Sequence, residues 1–105
     1  MDESEFIMRT DAALKRIESA MDACGANCDY SQTVEGVFEI EFDDGSKIIV
    51  NRHETTQEIW VATRSGGFHF RWDGKAWCDT KNNGELMAVL SDQVSSSMGK
   101  SIVLR

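Results

Sequence analysis

The chain has 105 residues, 41% of them hydrophobic and 28% charged, the balance of one globular domain rather than of a disordered or fibrous protein. Eighteen acidic side chains against eleven basic leave a net charge of −7, and no apolar run approaches the ~20 residues of a membrane span, so nucleic-acid binding and membrane insertion are both disfavoured. The charge is uneven: residues 1–44 hold twelve acids and three bases, residues 45–105 six acids and eight bases, which concentrates a field suited to cations or to a basic protein partner.

The opening MDESEF shows no basic or apolar leader pattern, and three cysteines, an odd number, do not make a disulfide framework; a soluble protein of the reducing cytoplasm is expected. Residues 4–24 read as a helix. Phe6, Thr10, Ala13, Leu14, Ile17, Met21 and Cys24 form one apolar stripe at spacings of three and four, with Ser4 as the expected N-cap and Gly25 as the stop. Its outer face carries Asp11, Lys15, Glu18 and Asp22 in a row. Asp22 stands at the C-terminal end, where the helix dipole disfavours an anion and a cation would be welcome.

Residues 34–79 alternate with period two and predict five short antiparallel strands with one buried face. Asp43-Asp44-Gly45 is expected to pair Ile40 with Ile48. Ser65-Gly66 as a two-residue turn pairs Val61 with Phe70, and Asp73-Gly74 pairs Phe70 with Trp77. A four-residue loop over His53–Thr56 pairs Asn51 with Glu58. These registers place Phe38, Ile40, Ile48, Val61 and Phe70 on one face. The other face shows Lys47, Ile49, Asn51, Glu58, Trp60, Ala62, His69, Arg71 and Cys78. Residues 84–98 predict a second amphipathic helix on Leu86, Val89, Leu90, Val94 and Met98, capped by Asn83, followed by a short apolar tail. The order helix, strands, helix predicts an α+β fold. It is a two-layer sandwich, in which an antiparallel sheet of five to six strands carries the N- and C-terminal helices on one face. Residues 1–105 are expected to make a single domain.

Two constellations stand out. Trp60 points away from the core beside Asn51, His69 and Arg71, and a large exposed aromatic ringed by polar groups marks a binding surface. The acidic helix row, continued by Asp29, Asp43 and Asp44, has no spacing that would form a calcium loop, so it suits weak binding of cations at several places. Cys24-x3-Cys28 lacks the partners of a zinc site. His69 and Cys78 are expected as cross-strand neighbours, an ordinary polar pair. Gly66-Gly67 lacks the Lys-Ser/Thr of a phosphate loop, and no nucleophile–base set has a distinctive spacing.

Gly45-Ser46-Lys47-Ile48-Ile49-Val50-Asn51-Arg52, Ile59-Trp60-Val61-Ala62-Thr63, Gly66-Gly67-Phe68-His69-Phe70, Trp77-Cys78-Asp79 and the initial Ser4-Glu5-Phe6 together resemble the bacterial frataxins, the CyaY family, over nearly the whole chain. The resemblance implies an iron-binding protein, not an enzyme, that regulates or donates iron to iron–sulfur cluster assembly in the bacterial cytoplasm. Its partners would be the cysteine desulfurase and the scaffold protein. Iron, Fe²⁺ or Fe³⁺, would bind weakly on an acidic ridge at Asp11, Glu18 and Asp22, with Asp29 continuing it. Asn51, Trp60 and His69 match the family's sheet-surface contact positions, and Glu18 and Asp22 would serve docking as well as iron. A monomer with metal-induced oligomers is expected. Ferroxidase or iron-storage activity through oligomerisation, and heme binding, are the alternatives. Three departures from the family pattern are visible. Cys24-Gly25-Ala26-Asn27-Cys28-Asp29-Tyr30 holds one acid where the family usually has many, His53 replaces a usual proline, and Glu58 replaces a usual glutamine.

Overall fold

Asp2 begins the first helix: its side-chain oxygen accepts the Glu5 N–H at 2.8 Å. Helix α1 therefore spans Glu3–Cys24 and Ser4, the expected cap, lies inside its first turn. Asp and Ser are nearly equal as caps, and Asp2 adds a formal charge at the positive end of the dipole. Gly25, at φ 72°, ends the helix in the left-handed conformation. A computed structural model describes all residues from Met1 to Arg105.

Six strands follow: β1 Asp29–Val34, β2 Val37–Glu41, β3 Lys47–His53, β4 Glu58–Thr63, β5 Gly66–Trp72 and β6 Trp77–Asp79. They form one antiparallel sheet in sequence order, each strand beside the next. Strand β1 lies mostly outside the span predicted for strands. Only Tyr30 within it is even half-buried, so this edge strand carries no apolar alternation to read. Helix α2, Leu86–Met98, begins two residues later than expected, with Glu85 as N-cap accepting the Met87 N–H at 3.0 Å. Asn83, the expected cap, instead takes a positive φ of 62° in the preceding turn, which asparagine tolerates better than most residues.

Three expected turns sit elsewhere along the chain. Thr63 pairs with Gly66, so Arg64-Ser65 make the β4–β5 turn. Trp72 pairs with Trp77 across a four-residue loop in which Asp73 accepts the N–H groups of Lys75 and Ala76. Asn51 pairs with Trp60 rather than Glu58. Each slip moves the pairing by two positions, which leaves every side chain on its expected face; a slip of one would have inverted them all. The Ile40–Ile48 pair is as expected.

Both helices lie on one side of the sheet. Phe6, Leu14, Ile17 and Met21 of α1 and Leu86, Leu90 and Val94 of α2 share a continuous core with Phe38, Ile40, Ile48, Val50, Ile59, Val61, Phe70 and Trp77. Cys24 packs at its margin, as expected of a helix-face residue. The tail returns along α2: Ile102 and Leu104 are buried, and their backbone N–H groups donate to the hydroxyls of Ser95 and Ser91, each at 2.8 Å. Arg52 fastens the sheet to α1. Its guanidinium is almost buried and donates to Asp11 at 2.9 Å and Thr10 at 3.3 Å, with Glu35 at 3.5 Å.

Candidate functional site

The second face of the sheet is uncovered, and its centre is aromatic. Asn51 faces Trp60, Trp60 faces His69, and Arg71 faces both Glu58 and Cys78. The Trp60 ring lies between two imidazoles. His69 stacks on it at 4.3 Å with planes 6° apart, and His53 on its other side at 3.7 Å and 7°. Trp60 is thus half-buried by its neighbours in the free protein. Below the stack lies Glu58, only 5% exposed. It accepts from the Trp60 indole N–H at 2.8 Å and from Arg71 at 2.6 Å, and His69 Nδ1 stands 3.8 Å away. Burial pushes the Glu58 carboxyl up, but the hydrogen bonds from Trp60 and Arg71 outweigh it and hold the group below its ordinary value. Glu58 therefore stays ionised and fixes the orientation of the indole. His69 and Cys78 are not direct neighbours: Cys78 pairs with Arg71, and its thiol lies 3.5 Å from Asp73. Burial and that carboxylate both push the thiol up, so it is a poor nucleophile.

The acidic positions form a second surface along α1 and the β1 edge. Glu18 and Asp29 are exposed and enter no ion pair. Asp11 is held by Arg52. Asp22 accepts the Tyr30 phenol at 2.6 Å, and that bond is the main cause raising the Tyr30 pKa to about 12. The Tyr30 contact joins the end of α1 to β1, so the helix row and the strand edge run together. On the open face beyond that edge, Asp29 pairs with Glu41, and Glu39 lies beside Lys47 at 3.3 Å. No three His, Cys, Asp or Glu side chains converge closely enough to form a metal-holding group. The ridge offers separate carboxylates, of which Glu18 and Asp29 are free of ion pairs while Asp11 and Asp22 are engaged by Arg52 and Tyr30; dispersed carboxylates of this kind suit hard cations held through one or two oxygens and water.

A family model described as a frataxin-like domain matches residues 1–100. A protein of Dechloromonas aromatica named iron-sulfur cluster assembly protein CyaY is 56% identical over 105 residues, covering both chains completely. The chain belongs to the frataxin family. A relative of the same name from Cupriavidus taiwanensis is 49% identical, over 97% of this chain and 95% of that one. Among solved structures, frataxin from Psychromonas ingrahamii superposes with a TM-score of 0.92 at 28% identity, over 100% of this chain and 99% of that one. The trimeric frataxin of the yeast Saccharomyces cerevisiae, complexed with ferrous iron, shares the fold at a TM-score of 0.68 and 22% identity, over 95% and 88% of the two chains.

Two features of this surface escape sequence reasoning, the presence of His53 and the burial of Glu58. His53 falls in an expected loop, yet β3 runs one residue further and places it on the open face in step with Asn51; continuing the period-two alternation would have found it. Glu58 is expected as a surface acid, but its two hydrogen bonds bury it under the indole.

Proposed function

We propose that the chain carries iron to, or regulates, iron–sulfur cluster assembly as a non-enzymatic, single-domain protein of the bacterial cytoplasm. Iron is the cargo. It binds weakly and exchangeably at Glu18, Asp22 and Asp29, with Asp11 joining when a cation competes with Arg52. The partners are the cysteine desulfurase and the scaffold protein. Glu18 and Asp22 steer a basic partner surface, and Asn51, Trp60 and His69 make the close contact, with His53 added to that set. The protein is a monomer that metal can drive to associate.

The observation that carries this reading is the full-length likeness to the Dechloromonas protein, whose name states cluster assembly. The two surfaces support it physically. Separate exposed carboxylates release a cation as readily as they take it, which suits a carrier. An aromatic anchor with its N–H already satisfied buries on contact without leaving a polar group unpaired. The test is a reconstituted cluster-assembly reaction with desulfurase, scaffold and Fe²⁺, with and without this protein. A change in the rate of cluster formation that disappears with E18K/D22K supports the proposal. An unchanged rate at all iron concentrations would sink it, and sustained iron-dependent oxygen consumption would move the chain to the ferroxidase class.

A further inference from the structure

On the opposite side of the molecule from Trp60, a cleft of about 210 Å³ opens between α1, the β5–β6 loop and the start of α2. Its walls are apolar and aromatic, with Trp72, Trp77, Ala13 and Leu86 among them. Trp72 and Trp77 meet edge to face at 5.6 Å. Three cations line it: Arg9, Arg16 and Lys75. In a chain with a net charge of −7 such a grouping is unusual, and the carboxylates nearby are already engaged. Glu5 is bound to Arg9 at 2.9 Å. Glu85, which lines the cleft, accepts the Met87 N–H. Asp73 accepts from Lys75 and Ala76 backbone and from Cys78. Arg9 Cζ lies over the Trp72 ring, 4.4 Å from its centroid, while Arg16 and Lys75 have no acidic partner.

An apolar cleft with a few convergent charges is the form of a small-molecule site, and here its size admits one or two rings. The geometry points to a binding site for a small planar organic anion, an aryl or indolyl carboxylate, with its ring against Trp72 and Trp77 and its carboxylate neutralised by Arg16 and Lys75. The cations select the charge; the tryptophan rings select flatness.

The test is a titration of the intact chain with 2-naphthoate, followed through the indole N–H resonances of the three tryptophans. Those of Trp72 and Trp77 should move and saturate with a dissociation constant below about 1 mM, while Trp60, on the far face, stays in place. The neutral 2-naphthamide should bind at least ~10-fold more weakly, and R16Q/K75Q should weaken naphthoate by a similar factor without changing naphthamide. Arg16 and Lys75 are exposed, so the double variant keeps its fold. Equal binding of acid and amide, no saturation, or equal movement of all three tryptophans overturns the assignment.

Discussion

Trp60 is held by two stacked imidazoles and one carboxylate, and each of those contacts can be tested separately. Trp60→Ala removes two ring contacts and leaves Glu58 with one fewer donor. The expected loss of stability is about 1–2 kcal/mol in a denaturant titration, against ~3–5 kcal/mol for a fully buried aromatic such as Phe38 or Phe70. The same substitution should weaken association with the cluster-assembly partners while iron affinity is nearly unchanged, which a binding titration on the same preparation would show. Glu58 gives a pH signature. A carboxyl held below its ordinary value of 4.5 stabilises the fold fully above that pH, and the contribution disappears as pH falls through the lower, folded-state value. Glu58→Gln should therefore lower stability at pH 7 and flatten the loss seen on acidification. A variant whose acid-side slope equals that of the parent would place the titration in other carboxyls.

At the scale of elements, the apolar periodicity of α1, α2 and strands β2 to β5 was strong enough to read, because each buries a regular stripe against one core. β1 was not legible: its polar run DYSQTV is a strand only because it borders β2. Turn positions were legible only to within two residues. Local Gly and Asp signals compete with side-chain bonds such as those of Asp73 and Thr63, which sequence alone does not rank. Of the binding surface, Trp60, Asn51 and His69 followed from alternation, whereas the Arg52 link depends on residues 41 positions apart. That link makes a prediction about the β1–β2 turn. Gly36 has a φ of 81°, and a Cβ there would stand 3.0 Å from the Arg52 guanidinium. Gly25, at φ 72°, has open space around it. Gly25→Ala should cost only the left-handed strain, about 1–2 kcal/mol. Gly36→Ala should cost clearly more, because Arg52 must shift from Asp11. Equal midpoints for the two variants in urea would show that the guanidinium yields freely.

The whole molecule keeps twelve acids and three bases within residues 1–44, so its folded state repels itself along α1 and the β1 edge. Divalent cations at ~10 times their dissociation constant should add about 1.4 kcal/mol, a rise of several degrees in Tm, and E18K/D22K should remove most of the gain. A thermal scan with Mn²⁺ or anaerobic Fe²⁺ that shows no shift would contradict a cation-binding ridge. The meander of the sheet bears on how the chain reaches this state. Every strand pairs with its sequence neighbour, so the hairpins close over short loops. The Arg52–Asp11 tie must wait until a helix formed at the start of the chain docks on a sheet built after it. A contact between residues 41 positions apart is expected to form late on the route, after the rate-limiting barrier. Arg52→Gln should leave the refolding arm of a chevron nearly where it is and raise the unfolding arm by almost the whole change in stability. On that outcome the clasp that positions Asp11 is a latch on escape from the native state, setting how long the folded ridge persists and leaving the speed of its formation to the hairpins.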